Sequence, residues 1–115
     1  MQTARELKRH LTGRQLQAIR SICPRFHVAR LFLFGSALTD SFRPDSDIDL
    51  LVQFEKMAIL EYADNYFGLL EQLRSITQRP VDLVIEKDLS NPILIESINE
   101  TKVLIYDKAN SEVAA

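Results

Sequence analysis

Residues 28–34 are Val-Ala-Arg-Leu-Phe-Leu-Phe, followed by Gly35-Ser36, and after ten further residues, residues 47–54 are Asp-Ile-Asp-Leu-Leu-Val-Gln-Phe. Both stretches are short and rich in aromatic or branched apolar side chains, which is typical of strands buried in a sheet. Gly35 ends the first stretch, and glycine allows the backbone to bend tightly there. Residues 80–86, Pro-Val-Asp-Leu-Val-Ile-Glu, have the same character with proline at the start. The sequence therefore predicts three strands.

Helical sequence flanks and separates these strands. Thr12 can cap a helix that ends before Pro24, because proline restricts the residue in front of it. Asn91-Pro92 is a favourable start for a later helix, and a last short strand is predicted over residues 103–106. Between the second and third strands, apolar residues recur mostly at three- and four-residue spacing, as in an amphipathic helix packed across a sheet. They are Ala58, Tyr62, Ala63, Tyr66, Phe67, Leu70, Leu73 and Ile76.

This alternation of strands and helices predicts an α/β fold, a small mixed β-sheet packed by helices. A chain of 115 residues is the size of one domain, so we expect residues 1–115 to form a single one. Apolar residues make up 46% and charged residues 26%, which excludes disordered and fibrous classes. No apolar run approaches the roughly 18 residues of a membrane span, and the amino end lacks an apolar signal core. We therefore expect a cytoplasmic protein with no membrane contact.

Charge and cysteine content narrow the function further. The lone Cys23 has no partner for a disulfide or a zinc site and lies in an apolar helical pattern, so we expect it in the core. Net charge is −2, but residues 1–30 carry seven lysines and arginines against one acid, whereas residues 31–115 carry seven against fifteen. We interpret the basic segment as a solvated helix face and expect no direct nucleic-acid binding. His10 and His27 have no spaced partner acids or cysteines and are expected at the surface or at its boundary with the core.

Asp47 and Asp49 stand two residues apart at the start of the second predicted strand. Side chains alternate along a strand, so these two leave the same face with Cα atoms roughly 6.5 Å apart. Two carboxylates beside buried sequence repel each other unless a cation neutralises them. Aspartate oxygens suit Mg²⁺, which takes one or two carboxylates together with phosphate oxygens. The pair therefore indicates a metal site for a phosphate-bearing ligand.

These acids have two other interpretations. Asp45, Asp47 and Asp49 also fit a solvated loop followed by an edge strand, whose wet face shows the same alternation, and this alternative stays open. A calcium-binding loop begins with alternating acids as well. It is excluded because Leu50 stands where that loop has its glycine and Lys56 where it has its glutamate.

A third acid, Asp82, interrupts the apolar residues of the third strand. If that strand lies beside the second one, Asp82 can complete the carboxylate cluster, as a further metal ligand or as the base that takes a proton from an attacking hydroxyl. An exposed acid on an edge strand is the alternative. At the turn after the first strand, Gly35 and Ser36 can bind phosphate oxygens through backbone N–H groups and the hydroxyl, although an ordinary turn has the same sequence.

Taken together, three motifs resemble the nucleotidyltransferases of the DNA polymerase β superfamily: Leu33-Phe34-Gly35-Ser36, then after ten residues Asp47-Ile48-Asp49-Leu50, and later Val81-Asp82-Leu83. Residues 43–52, Arg-Pro-Asp-Ser-Asp-Ile-Asp-Leu-Leu-Val, and the small size are similar to the minimal nucleotidyltransferases, the MntA-like antitoxins paired with HEPN toxins. The resemblance runs from the first predicted helix to Tyr106. Residues 37–40 are less basic than in many relatives, which puts auxiliary phosphate contacts in doubt. Arg43 is one candidate to replace them, and a solvated arginine is the favoured alternative.

The resemblance implies a polymerase β-like fold and a two-metal mechanism. Asp47 and Asp49 then hold two Mg²⁺ ions, Asp82 assists with the catalytic one, and Gly35 and Ser36 hold the triphosphate of ATP. The implied product is AMP on a tyrosine of a HEPN-domain toxin, with a hetero-oligomer of the two proteins. A non-catalytic antitoxin that neutralises its partner by binding alone is the alternative. The short chain leaves little room for a separate acceptor-binding domain, which agrees with a protein acceptor.

Overall fold

The computed structural model describes residues 11–35 and 47–110, and within them it has a four-stranded mixed sheet. β1 is antiparallel to both β2 and β4, whereas β2 and β3 are parallel, and across the sheet the order is β3-β2-β1-β4. The predicted mixed sheet is confirmed, with every strand end within one residue of its prediction. The strands are β1 Val28–Phe34, β2 Ile48–Phe54, β3 Val81–Ile85 and β4 Val103–Asp107.

The first helix, α1, covers Gly13–Ile22 and begins at the predicted cap. The Thr12 hydroxyl accepts a hydrogen bond from the backbone N–H of Gln15 at 3.0 Å, and the Gln15 side chain accepts one from the N–H of Thr12 at 2.9 Å. This reciprocal pair satisfies N–H groups that the first turn of a helix leaves without partners. A 3₁₀ turn over Cys23–Phe26 contains Pro24 and ends the helix, as predicted.

Two further helices connect the remaining strands. Helix α2 covers Ile59–Thr77 and links the parallel strands β2 and β3, while α3 covers Pro92–Thr101 and links β3 to β4. Parallel neighbours need such a crossover because a tight turn joins only antiparallel strands. The side chain of Asn91 caps α3 by accepting hydrogen bonds from the N–H groups of Ile93 at 3.0 Å and Leu94 at 3.4 Å. The predicted start of this helix is confirmed.

The core is divided by the sheet into two unequal parts. Helices α1 and α2 cover one face, where alternate residues of β2 are fully buried: Ile48, Leu50 and Val52. Helix α3 covers the other face, where Ile98 packs with Phe32 and Leu51 in a small cluster. We call the first the core face and the second the α3 face. The period-two alternation of β2 therefore separates its core residues from Asp49, which lies on the α3 face with Leu51.

Helix α2 is buried only in its carboxyl-terminal half, through Leu69, Leu70, Leu73 and Thr77. Phe67, which the sequence assigns to the packed face, is 64% exposed, so that assignment is wrong. Phe67 is six positions before Leu73, which turns its side chain about 120° around the helix from the core. Ile59 in the first turn is 87% exposed, because the helix is longer than the sheet that it covers. A 19-residue helix is about 28 Å long and extends past strands of about 16–23 Å.

No helix in residues 11–35 and 47–110 is long and apolar enough to cross a membrane.

Side chains from the helices hydrogen-bond both edge strands. The Tyr66 hydroxyl of α2 donates to the carbonyl oxygen of Leu83 in β3 at 2.6 Å. The Arg20 guanidinium of α1 donates from Nε to the carbonyl oxygen of Ile105 in β4 at 2.8 Å. Strand edges otherwise expose polar backbone groups to which another chain can pair. These two contacts fix the helices to the edge strands.

Gly68 gives Phe26 its place beside α2. A Cβ atom at position 68 would lie 2.6 Å from Cε1 of the Phe26 ring, closer than carbon atoms approach one another. Phe26 in turn packs against the main core. The glycine inside α2 lowers helix propensity, and this contact is the reason that it is tolerated.

Replacing Gly68 by alanine is expected to destabilise the protein. Alanine improves helix propensity by about 1 kcal/mol, but overpacking against Phe26 costs about 1–3 kcal/mol, so Gly68→Ala should unfold at lower urea concentration. In a Phe26→Ala background the clash is gone, and the same change should raise stability by up to about 1 kcal/mol. Urea unfolding of the four proteins of this cycle measures the coupling. An equal effect of Gly68→Ala in both backgrounds would disprove the contact.

Cys23 is buried in the main core, as predicted, and burial raises the pKa of its thiol to about 12. The ordinary value is 9.0, so between pH 9 and 12 the unfolded chain loses a proton that the folded chain keeps. Stability therefore falls as pH rises through this window, by about 1.4 kcal/mol per pH unit for this one group.

The pH dependence of Cys23→Ala should differ accordingly. Its free energy of unfolding is expected to decline less steeply than that of the wild type between pH 9 and 11, since the alanine cannot ionise in the unfolded state. Urea titrations at three pH values test this, and the wild-type thiol should react with a thiol reagent at pH 8 only after unfolding. Parallel pH profiles for the two proteins would contradict the burial of an un-ionised thiol.

Candidate active site

Asp49 and Asp82 lie opposite each other on neighbouring strands. The parallel register of β2 and β3 pairs Asp49 directly with Asp82, and strands in a sheet are roughly 4.8 Å apart. Both side chains are on the α3 face, which also holds Leu51 and Val84 two residues further along the two strands. The expectation that the third strand lies beside the second is thus confirmed, and it brings these two acids together.

Asp47 lies one residue before β2 and is exposed. The N–H of Ile48 donates to the carbonyl oxygen of Pro80 at 3.0 Å, so the pairing of β2 with the β3 segment begins at this end. Asp47, Asp49 and Asp82 therefore all belong to the same end of the sheet, where β2 and β3 start and β1 finishes.

Gly35 places its backbone against the carboxylate of Asp49. Its φ of +77° lies in the region that side chains disfavour, and a Cβ atom there would be 2.2 Å from Oδ2 of Asp49. Both the conformation and the contact require glycine. The register of β1 and β2 explains the contact, because Phe34 pairs with Asp49 and Gly35 follows directly. The predicted glycine turn is thus brought to the acids, whereas Ser36 lies outside the described residues.

The two acids differ in their surroundings. Asp49 is half-buried on an interior strand, so the interpretation of this acid as the wet face of an edge strand is wrong. Asp82 is exposed and β3 is an edge strand, which agrees with the alternative interpretation of Asp82 as an exposed acid on an edge strand. The position of Asp82 on an edge strand does not remove its repulsion with Asp49, however. Like charges directly opposite each other destabilise a sheet, and only one member of this pair is well solvated.

The donor set at this end of the sheet fits a hard divalent cation. As they stand, no three acid, histidine or cysteine side chains within residues 11–35 and 47–110 are grouped closely enough to hold a metal ion. Mg²⁺ does not require such a cage, because it takes one or two carboxylates and completes its shell with water and phosphate oxygens. Asp49 and Asp82 offer carboxylate oxygens in opposed positions, and the exposed Asp47 is adjacent. Such an ion would also neutralise their repulsion.

Tyr66 is a neighbour of the site that the sequence assigns to packing alone. It does pack against the main core, but its hydroxyl also donates to Leu83, the residue after Asp82. Burial raises the pKa of Tyr66, and the nearby Asp82 carboxylate raises it further, whereas Arg74 opposes the shift. The hydroxyl therefore stays protonated and holds β3 on the side opposite to the acids. Periodicity marks Tyr66 as apolar and carries no signal of this hydrogen bond.

Comparison with known proteins gives a consistent result. The sequence matches the nucleotidyltransferase domain family over residues 16–105. It is 31% identical over 93 residues to the protein adenylyltransferase MntA of Thermococcus cleftensis, covering 81% of this chain and 87% of that protein.

Solved structures resemble the chain as well. A chain described as a minimal nucleotidyltransferase superposes with a TM-score of 0.59 at 32% identity, covering 78% of this chain and 88% of the other. A complex of a tri-AMPylated HEPN toxin of Shewanella oneidensis with its MNT antitoxin contains a chain that superposes with a TM-score of 0.51 at 18% identity, covering 85% and 77%. The second likeness concerns the fold alone.

Gly35→Ala is expected to destabilise the protein by about 1–3 kcal/mol, because alanine is strained at this φ and its Cβ atom displaces the Asp49 carboxylate. Urea unfolding measures the loss. Gly13→Ala is the matched control, since Gly13 is the exposed first residue of α1 and has no positive φ. Equal stabilities of the Gly35→Ala and Gly13→Ala proteins would contradict the contact between Gly35 and Asp49.

Proposed function

This chain belongs to the nucleotidyltransferase domain family, and from that premise we propose that it transfers AMP from ATP to a tyrosine of a HEPN-domain toxin and thereby acts as the antitoxin. The observation that carries the proposal is the opposition of Asp49 and Asp82, with the backbone of Gly35 against Asp49. A family that transfers nucleotides needs a place for a nucleotide phosphate beside metal-binding carboxylates. The three residues meet that need at one end of the sheet.

The choice of nucleotide and acceptor is supported by the relatives. The MntA protein of Thermococcus cleftensis is a protein adenylyltransferase, an enzyme in which AMP is the transferred group and a protein is the acceptor. In the similar solved complex, an MNT antitoxin is bound to a tri-AMPylated HEPN toxin of Shewanella oneidensis. We extend both properties to this chain, which then works with its toxin in the cytoplasm as a single catalytic domain.

The proposal gives each site residue a role. Asp47, Asp49 and Asp82 hold Mg²⁺, and two ions are expected. Bound there, the ions would neutralise the carboxylates and stabilise the charge on the attacking and leaving oxygens. We assign the triphosphate to Gly35 and Ser36, through backbone N–H groups and the serine hydroxyl, because the backbone of Gly35 lies against the carboxylate of Asp49.

The reaction balances with the groups present. The tyrosine oxygen of the toxin forms a bond to the α-phosphorus of ATP, the bond from that phosphorus to the bridging oxygen of the β-phosphate breaks, and pyrophosphate leaves. Asp82 accepts the proton of the tyrosine hydroxyl. It suits this role because it is more exposed than Asp49 and lies on the outermost strand, where the surface of a partner protein can reach it.

Loss of the acids should abolish transfer. With ATP labelled on the α-phosphate, Mg²⁺ and the HEPN protein encoded beside this chain, wild type is expected to label the toxin. Asp47→Asn combined with Asp49→Asn should reduce the rate by at least about 10²–10³-fold, as for loss of other groups that stabilise transition-state charge. EDTA should have the same effect on wild type.

The matched control combines Asp64→Asn with Asp88→Asn, which removes the same charge from exposed positions of α2 and of the 3₁₀ turn after β3. This control should label the toxin at the wild-type rate. Equal labelling by the two double variants would refute the assignment of Asp47 and Asp49. Neutralisation of the toxin that persists in the Asp47, Asp49 variant and without ATP would show instead that binding alone suffices.

A further inference from the structure

The row of residues that contains the two acids crosses the whole sheet. The register pairs Asp82 with Asp49 between β3 and β2, and Asp49 with Phe34 between β2 and β1. Directly paired residues share a face of the sheet, so these three side chains leave on the α3 face. Phe34 accordingly packs with the small cluster there. The row therefore runs from the acids toward β4.

Lys102 stands at the other end of this row. The last pair of β1 and β4 is Leu33 with Val103, and one further step in this antiparallel register places Lys102 opposite Phe34. Its side chain lies on the α3 face, since Nζ is 4.2 Å from the centre of the Phe32 ring, a member of the small cluster. Lys102 is the residue between α3 and β4, and it is half-buried.

We propose that Lys102 binds the terminal phosphates of ATP, on the side of the Gly35 turn opposite to the acids. Two strand spacings, about 10 Å, separate Lys102 from Asp49, and Gly35 follows the residue between them. A triphosphate seated on this turn would have the carboxylates and their cations on one flank and the Lys102 ammonium on the other. The inference rests on the proposed function and adds a phosphate-binding residue to it.

The negative charge that develops on pyrophosphate during transfer is the reason to expect a lysine here. When the bond between the α-phosphorus and the bridging oxygen breaks, the bonding electrons go to that oxygen and the departing pyrophosphate becomes more negative. An ammonium group beside the terminal phosphates neutralises this charge. The step along β1 from Phe32 to Phe34 is roughly 6.6 Å, which the flexible four-carbon stem of lysine can cover by a change of rotamer.

A purely structural role is the competing explanation. Lys102 follows the carboxyl end of α3, where a cation is favourable, and its ammonium contacts an aromatic ring. Lys87 provides a matched control for this role. Its Nζ lies 3.7 Å from the centre of the Tyr62 ring, so it makes the same kind of contact, but it stands in the 3₁₀ turn after β3, at the end of the sheet away from Asp82.

The test compares the binding of AMP-PNP and of AMP, each with Mg²⁺, by calorimetry. Lys102→Gln is expected to weaken AMP-PNP binding by about 10- to 100-fold, the effect of losing one hydrogen bond to a charged group, and to leave AMP binding unchanged. Lys87→Gln should change neither. Lys102→Arg should restore most of the affinity for AMP-PNP, because a cation is retained.

The outcomes separate the inference from the proposed function. The role of Lys102 would be overturned if Lys102→Gln bound AMP-PNP as tightly as the wild type does, or if it lost equal affinity for AMP-PNP and AMP. In either case, AMP transfer by the wild type would still support the proposed function. Failure of the wild type to bind AMP-PNP would overturn both. Thermal unfolding of Lys102→Gln and Lys87→Gln checks that each variant is folded at the temperature of the titration.

Discussion

The parallel pairing of β2 with β3, which sets Asp49 opposite Asp82, is the constraint on which the rest of this structure depends. Two carboxylates side by side repel each other, so this pair by itself destabilises the observed register of β2 and β3. The register is fixed from the other face of β2, where Ile48, Leu50 and Val52 are fully buried. A slip by one residue would move all three from the main core to the α3 face and bury Asp49 in the main core. Burial on one face thus holds charges together on the other.

The long helix α2 is a consequence of that pairing. Because β2 and β3 are parallel, the chain must return along the sheet between them, and α2 makes this crossover. Only its second half is needed to cover the core, which leaves Ile59 exposed at the far end of the sheet from the acids. Tyr66 stands at the boundary between the two halves and attaches α2 to β3 through Leu83. The strand that carries Asp82 is therefore held from its core side, and its acid is left accessible.

Local sequence signals predicted the elements of this fold well, because their causes are local. Alternation along β2, the Thr12 cap and the Asn91-Pro92 start each depend on residues within one turn or one strand. Strand order depends on contacts between residues far apart in the chain, so the opposition of Asp49 and Asp82 could be stated only as a condition. The direction of a helix face relative to the core also depends on such distant contacts. Phe67 therefore fitted the apolar spacing of α2 although its side chain is exposed.

The part of the site that sequence reasoning missed has the same origin. Lys102 has no motif around it, and only the register of β1 with β4 brings it into the row of Phe34 and Asp49. The basic residues that composition did draw attention to lie near the amino end, and two of them have intramolecular partners: Arg20 binds the carbonyl oxygen of Ile105 and Arg30 forms an ion pair with Asp107. Charge counted along the chain gave no indication of Lys102, which lies in the predominantly acidic part of the sequence. Across the sheet, one row has Asp82 and Asp49 at one end and Lys102 at the other. Such a surface can bind cations at the acidic end and phosphate at the basic end, because each ligand needs the opposite charge within a few ångströms.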